Sequence, residues 1–216
     1  MLDAITHREP GAAPRILDLC CGTGSISGRL LERCPDASIV GIDMDPAHLE
    51  LARRTLGDRV EWRDADLRSA QWSDGLKPES FDVVVSATAI HWFQPEEIVR
   101  LYRELARLLR QQGVFVNADH LPVGSPRVAK LSAELLEEWQ SKQLDGAEGY
   151  RAFRDALRNE PELRPLVEEG NRRFASKHPG TTLPVEFHRE ALLAAGFAEA
   201  GEIWRYHSDA ILLALR

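Results

Sequence analysis

A tight glycine turn between an apolar strand and a helix is the feature that most constrains this chain. Residues 16–24 have the sequence ILDLCCGTG, so a buried-strand pattern leads directly into Gly22 and Gly24. Glycine has no side chain and tolerates left-handed backbone, so it allows the main chain to approach a ligand closely. The pattern is typical of the first strand of a nucleotide-binding α/β sheet.

The next strand supplies an acid at the expected place. Residues 38–42 (SIVGI) form an apolar strand that ends in Asp43, nineteen residues after Gly24. In nucleotide-binding α/β sheets an acid at this position binds the hydroxyls of a ribose. The turn and the acid together predict a site for a ligand that contains adenosine.

The spacing of the glycines distinguishes between adenosine ligands. A dinucleotide-binding turn follows G-x-G-x-x-G, whereas three residues separate Gly24 from Gly28 here. Asp18, inside the first strand, is unfavourable beside two phosphates and suits a ligand with an ammonium group. We therefore favour S-adenosylmethionine, with an NAD-dependent oxidoreductase as the alternative.

Residues 17–24 resemble motif I of the class I S-adenosylmethionine-dependent methyltransferases. Three further stretches are similar to later motifs of that family and occur in its order: residues 41–45 (GIDMD), the pair Asp64 and Ala65, and residues 81–86 (FDVVVS). The resemblance implies a Rossmann-like α/β fold. We expect a seven-stranded, mainly parallel sheet with an antiparallel last strand, in a three-layer αβα arrangement.

The resemblance also implies how the chain would hold its cofactor, S-adenosyl-L-methionine. Asp18 is assigned to the methionine end, through the ammonium or a bridging water; the alternative is an acid that only ties the glycine turn together. Asp43 is assigned to the ribose, and Met44 to one face of the adenine. The other expected contacts in the turn and after the fourth strand are Cys20, Gly22, Thr23, Gly24, Ala87 and Thr88.

The acid that meets the adenine has two candidates. Asp64 would accept a hydrogen bond from the adenine amine while Ala65 presents its backbone N–H. Asp66 lies two residues further on and would take the role if the register differed by a small shift. We favour Asp64.

Candidate catalytic residues follow the fourth and fifth strands, at the edge where open α/β sheets bind ligands. His91 would orient or deprotonate the acceptor, and Trp92 would form an aromatic wall of the substrate site. The other interpretation is that His91 packs beneath the loop and that Trp92 is a core residue. After the fifth strand, Asp119 is a candidate substrate contact and His120 a second catalytic candidate. No histidine pair has metal-ligand spacing on one face, so we expect no metal site.

Charge and motif narrow the class of acceptor. The net charge is −7 over 216 residues, which opposes nucleic acid as a partner because phosphate contacts need clustered Lys and Arg. Residues 86–93 (SATAIHWF) stand where the adenine- and glutamine-modifying branches carry an Asn/Asp-Pro-Pro-aromatic tetrapeptide. We expect a small-molecule acceptor, with oxygen favoured over nitrogen or carbon as the methylated atom. A non-catalytic binding partner with this fold is a further alternative.

The chain is expected to form one domain, residues 1–216, with a helical insertion at 123–182 over the mouth of the site. It has no signal-peptide core and no long apolar run, so we expect a cytoplasmic protein without a membrane segment. Only 15 residues precede the first strand, which leaves little room for an N-terminal lid. The lid is then either missing or supplied by the insertion, by a partner subunit such as the second copy of a homodimer, or by residues upstream of the assigned start.

Local signals place the remaining elements. Asp45 is the expected N-cap of the second helix, and Gln112 with Gly113 the expected stop of the helix after the fourth strand. In the later part of the chain we expect helices at 126–142 and 150–174, and the second of these is broken at Pro161 and Pro165. A further helix at 185–197 should end at a glycine, and strands should follow at 202–206 and 210–215.

Overall fold

A seven-stranded sheet organises the chain, with strand order β3-β2-β1-β4-β5-β7-β6. A computed structural model describes residues 13–143, 149–175 and 181–216. The strands are β1 Arg15–Leu19, β2 Ser38–Asp43, β3 Val60–Asp64, β4 Phe81–Ala87, β5 Leu109–His120, β6 Glu199–Tyr206 and β7 Asp209–Leu215. Strands β1 to β5 are parallel, and β7 is antiparallel to both β5 and β6. The predicted Rossmann-like sheet with an antiparallel last strand is confirmed.

Seven helices surround this sheet within the described part of the chain. They are α1 Ser25–Arg33, α2 Pro46–Leu56, α3 Pro95–Leu108, α4 Pro126–Gln143, α5 Tyr150–Asn159, α6 Arg164–Ala175 and α7 Val185–Ala195. Leu30 and Leu31 of α1 pack on one face of the sheet, while α3 and α7 pack on the other. Two apolar layers therefore sandwich the sheet, as expected of a three-layer αβα fold.

Several predicted boundaries are confirmed and others are wrong. Asp45 does cap α2, since its side chain accepts from the N–H groups of Ala47 and His48, and Gly196 ends α7 in the left-handed conformation. The helix before β5 stops at Leu108 rather than at Gln112, because Leu109 is already extended and begins β5. Gln112 and Gly113 do not end the helix, because residues 109–113 already form the irregular start of β5.

The helices after β5 fall mostly where the sequence placed them. The predicted insertion at 123–182 includes α4, α5 and α6, and its residues 144–148 and 176–180 lie outside the described part. Residues 160–163 separate α5 from α6, as the proline at 161 predicted. Pro165, in contrast, lies inside the first turn of α6 and does not break it, since a proline there has no helical N–H bond to lose. At the other end of the chain, β6 begins at Glu199, three residues before its predicted start.

A buried polar pair joins α3 to α7 on one side of the sheet. The Tyr102 hydroxyl lies 2.6 Å from Nδ1 of His188, and both side chains are almost fully buried. Burial lowers the pKa of His188 to about 4, so the ring is neutral near pH 7 and its Nδ1 can accept from the tyrosine hydroxyl. This contact fixes α7 against the helix that leads into β5.

The indole of Trp62 explains two of the glycines near the turn. A Cβ on Gly41, its neighbour on β2, would lie 2.7 Å from Trp62 Cζ3, and a Cβ on Gly24 would lie 2.8 Å from Trp62 Cη2. The indole Nε1 donates to the Gly57 carbonyl oxygen at 3.0 Å, which holds the ring in place. Gly24 and Gly41 are therefore required by packing inside the protein.

Gly41→Ala is expected to destabilise the fold by about 1–3 kcal/mol, because the added methyl group must displace the indole of Trp62 in a packed layer. Denaturant unfolding measures the change. The matched control is Gly201→Ala on β6, where a Cβ would meet no heavy atom within 4 Å and the effect should stay within about 0.5 kcal/mol. Equal stability of the two variants would contradict the role given to Trp62.

Candidate active site

The two glycines of the turn serve different purposes. Gly22 has a φ of +54°, and a Cβ built on it would meet no heavy atom within 4 Å. Gly24 has a φ of +79° and faces Trp62. The open side of the turn is therefore at Gly22, and it is there that the backbone can approach a ligand. Thr23, between them, is half-buried.

Asp43 ties the glycine turn to the start of α2. Its Oδ2 accepts from the Gly22 N–H at 2.8 Å, and its Oδ1 accepts from the Asp45 N–H at 2.8 Å. Burial raises the pKa of Asp43, and the two N–H bonds oppose that rise. A carboxylate has about four acceptor positions, so two remain for hydroxyl donors. The acid is thus held at the carboxyl end of β2 with capacity to bind a diol.

Asp18 lies beneath the turn rather than at its surface. It is 1% exposed, and its Oδ2 accepts from the Ser27 hydroxyl of α1 at 2.6 Å. Burial raises the pKa of Asp18 to about 7, and the bond from Ser27 acts in the opposite direction. The structure shows the acid tying the turn to α1; its contact with a ligand ammonium stays a prediction.

The predicted adenine residues meet at the ends of β2 and β3. Met44 is half-buried and Asp64 is exposed. The Ala65 N–H was expected to face the adenine. In the structure it donates instead to the Asp43 carbonyl oxygen at 3.0 Å. The competing acid, Asp66, is bound by the guanidinium of Arg68, and Asp64 is bound by that of Arg173; the Asp66 side chain is 34% exposed and the Asp64 side chain 43%. The choice of Asp64 over Asp66 therefore stays a prediction.

Two non-glycine residues with left-handed backbone flank the crevice where the strand order reverses, between β1 and β4. Cys20, just after β1, has a φ of +51°, and Thr88, just after Ala87 of β4, has a φ of +50°. Non-glycine residues in this conformation cost free energy and occur preferentially at functional sites. Both are predicted cofactor contacts, and each directly follows the carboxyl end of its strand, at the edge where such sheets bind ligands.

His91 and Asp119 form a closely bonded pair across the ends of β4 and β5. His91 Nδ1 lies 2.6 Å from Asp119 Oδ1, and the His91 N–H donates to Asp119 Oδ2 at 3.1 Å. Asp119 is 3% exposed; burial alone would raise its pKa, but the bonds from His91 and the His120 N–H hold the pKa below its usual range. An ionised carboxylate can only accept, so Nδ1 carries the proton. Nε2 is then the ring atom that can take a proton from another molecule.

The neighbours of His91 are aromatic and partly open to solvent. The ring centroids of Trp92 and His120 each lie 5.1 Å from that of His91. Trp92 is 57% exposed, so the interpretation that it is a core residue is not supported. His120 Nδ1 lies 2.6 Å from Asp209 Oδ1 on β7, a partner that the sequence did not reveal.

Two buried polar residues near the carboxyl ends of β4 and β5 were also not predicted from the sequence. Ser86 and Asn117 are register partners on β4 and β5, and both are fully buried. Within the described part of the chain, Ser86 Oγ and both amide atoms of Asn117 have no hydrogen-bond partner. Their signal was a polar residue within an otherwise apolar buried strand, in VVVSA and VFVNA.

The described residues contain neither a membrane-spanning helix nor a cluster of metal ligands. None of the helices there has the length and apolar character to cross a bilayer. The same part of the chain contains no cluster of three or more histidine, cysteine, aspartate or glutamate residues arranged to hold a metal ion.

Comparisons with known proteins agree with this geometry. The family profile described as "Methyltransferase domain" matches residues 16–113. The malonyl-[acyl-carrier protein] O-methyltransferase of Legionella pneumophila is 38% identical over 104 residues, which are 47% of this chain and 34% of that one. The trans-aconitate 2-methyltransferase of Azoarcus sp. is 36% identical over 102 residues, 47% of this chain and 37% of that one. This chain therefore spans well under half the length of these relatives.

Solved structures extend the likeness to the whole chain at the level of the fold. An O-methyltransferase family protein from Burkholderia thailandensis superposes with a TM-score of 0.66 at 20% identity, over 100% of this chain and 55% of that one. The glycine turn, the acid after β2 and the family match together define a class I S-adenosylmethionine-dependent methyltransferase fold. In sequence, the match to the methyltransferase-domain profile covers residues 16–113, which is a little under half of the chain.

Asp18→Asn is expected to remove a pH-dependent loss of stability. The pKa of Asp18 rises from 3.8 to about 7 on folding, so between these values the folded protein holds a proton that the unfolded chain has released. The stabilising contribution is complete below about pH 4 and is lost as the pH rises through about 7. The asparagine variant should therefore lose less stability than the wild type between about pH 4 and about pH 8, measured by denaturant unfolding. If the stability of the variant and that of the wild type depended on pH in the same way, the raised pKa of Asp18 would be contradicted.

Proposed function

We propose that this protein transfers a methyl group from S-adenosylmethionine to an oxygen atom of a small molecule. The observation that carries the proposal is the alignment of two sites along one sheet edge: the Asp43 carboxylate beside the open Gly22 turn, and the His91–Asp119 pair at the ends of β4 and β5. Ligands of open α/β sheets bind at this carboxyl edge. The first site suits an adenosine cofactor, and the second suits an acceptor that must lose a proton.

The residues at the glycine turn fit the cofactor. Gly22 offers an open backbone surface, and Asp43 has acceptor positions for a ribose diol. When bound, S-adenosylmethionine supplies a methyl group on an electrophilic sulfonium. The exposed carboxylate of Asp64 would accept from the adenine amine, and Met44 would cover the ring. Asp18 would compensate the positive charge of the ammonium at the methionine end, either directly or through a water molecule, and would do so best in its ionised form.

The His91–Asp119 pair would act on the acceptor. Asp119 fixes the proton on Nδ1 and orients the ring, so Nε2 of His91 can accept the proton that a hydroxyl releases as it is methylated. Asp119 is buried behind His91, so we assign it to positioning His91 rather than to direct substrate contact. Trp92 and His120 would form the wall of the acceptor site. A carboxylate acceptor needs no base, so this arrangement favours a hydroxyl.

The names of two matched relatives support a small molecule as the class of acceptor. The matched relatives from Legionella and Azoarcus are named for acylated-carrier and trans-aconitate substrates. We propose that the helices of residues 123–182 cover the site within a single domain. The lid from a second copy or a partner subunit, the cytoplasmic location and the exclusion of nucleic acid stay predictions.

Asp43→Ala is expected to weaken binding of S-adenosylhomocysteine by about 1–3 kcal/mol, because hydrogen bonds to a charged carboxylate are lost. Isothermal titration calorimetry measures the affinity, with thermal unfolding as a check that the variant folds. Asp58→Ala is the control, since Asp58 is exposed on the turn after α2. Binding that is the same in both variants would remove Asp43 from the cofactor site.

His91→Ala is expected to slow methyl transfer to a hydroxyl acceptor by about 10²-fold or more while leaving the affinity for S-adenosylhomocysteine unchanged, because only the base is lost. A screen of metabolite extract with radiolabelled cofactor identifies the acceptor, and steady-state assays then compare the variants. Asp119→Asn should also slow the reaction, since an amide no longer fixes the proton on Nδ1. An unchanged rate for His91→Ala, as a carboxylate acceptor would give, contradicts the proposed base.

A further inference from the structure

Two arginines of the α5–α6 helices bind the segments that would hold the adenosine. We propose that Arg154 and Arg173 are positioning residues for the adenosine end of the site, so that docking of α5 and α6 on this edge and binding of the cofactor stabilise each other. The inference rests on the proposed function, because it assigns the ends of β2 and β3 to the ribose and the adenine.

The contact of Arg154 is buried and direct. Its Nη1 donates to Asp45 Oδ2 at 2.6 Å, with 11% of the arginine side chain and none of the aspartate side chain exposed. Its Nη2 donates to Asn171 Oδ1 at 2.9 Å, which links α5 to α6. Because a buried carboxylate needs a compensating charge, Arg154 neutralises Asp45 in a position that water does not reach.

Asp45 connects this arginine to the predicted ribose acid. Its Oδ1 caps α2, so its two oxygens have separate tasks. Its backbone N–H donates to Asp43 Oδ1 at 2.8 Å, and Asp43 Oδ2 in turn accepts from the Gly22 N–H at 2.8 Å. An unbroken series of short hydrogen bonds therefore runs from α5 to the glycine turn. Displacement of Arg154 should alter the position of Asp43.

Arg173 makes the corresponding contact at the adenine. Its Nη1 donates to Asp64 Oδ1 at 2.6 Å and to the Met44 carbonyl oxygen at 3.0 Å. One guanidinium of α6 thus bridges the ends of β2 and β3. Met44 and Asp64 are both assigned to the adenine. The bond from Arg173 uses one oxygen of Asp64, and the other oxygen can still meet the adenine amine. Arg173 would orient that carboxylate for the ligand.

Packing brings the helices close enough for both bonds. A Cβ on Gly170 of α6 would lie 3.0 Å from each carboxylate oxygen of Asp45, so the helix backbone passes directly over that side chain. Next to it, Ala47 of α2 packs with Leu157, Leu163 and Val167 in a small buried cluster. The helices are therefore fixed to α2 by apolar burial, and the two arginines connect that burial to the ligand-binding residues.

A coupling of this kind is reciprocal. If docked helices orient Asp43 and Asp64, the cofactor gains affinity; by the same amount, bound cofactor must hold the helices in place. The structure therefore allows two independent measurements, one of ligand affinity and one of the protection of the α5–α6 backbone.

Arg154→Gln and Arg173→Gln are each expected to weaken S-adenosylhomocysteine binding about ten-fold, measured by calorimetry. In the wild type, the ligand should slow amide hydrogen exchange in residues 150–175, and both variants should lose that slowing. The matched controls are Arg158→Gln on α5 and Arg172→Gln on α6, because the guanidinium groups of these exposed arginines bond only with Asp155 and Glu169 of their own helices among the contacts described. Glu169 Oε1 also accepts from Arg173 Nε, and that bond is kept when Arg172 is replaced. Both controls should behave as the wild type does.

A folding defect is separated from a loss of coupling by the double variant Asp45→Asn/Arg154→Gln. It leaves no uncompensated buried charge, and asparagine can still cap α2, so we expect a folded protein in which the ligand no longer slows exchange in α5 and α6. Wild-type binding by the two single variants, or exchange that the ligand does not change in the wild type, would overturn the inference. A wild type that does not bind S-adenosylhomocysteine would instead overturn the proposed function.

Discussion

The carboxylate of Asp43 is the group on which the rest of the site depends. Its two oxygens accept from the N–H groups of Gly22 and Asp45, so a single buried acid fixes both the glycine turn and the start of α2. Burial alone disfavours the charge, and the two N–H bonds compensate for part of that cost. A ligand diol would therefore meet a carboxylate that is already oriented, and such preorganisation lowers the entropy lost on binding.

The sequence was informative wherever one residue type meets a local backbone demand. The glycine turn, the acid at the end of β2 and the proline-flanked cap of α2 are local features, and each was placed correctly before the sheet was known. The order of the motifs also predicted the sheet, through the fold that the resemblance to the methyltransferase family implies. The helix stop at Gln112 was wrong because the irregular strand that begins at Leu109 is fixed by its pairing with β4.

The rest of the site depends on contacts between residues distant in sequence. Nothing in residues 16–24 shows that Gly24 makes room for Trp62, which comes 38 positions later. The bond between His91 and Asp119 spans 28 positions, and that between Arg154 and Asp45 spans 109. Sequence periodicity marked α5 as an amphipathic helix but could not show that Arg154 on it reaches a buried acid.

The most direct test of the account is a crystal structure of the protein with S-adenosylhomocysteine bound. We expect the ribose hydroxyls within about 3 Å of the Asp43 carboxylate and the ligand against the backbone of Gly22. The thioether sulfur should lie on the side of the site that faces His91. A ligand that lies elsewhere on the protein, or a ribose that does not contact Asp43, would contradict the central claim.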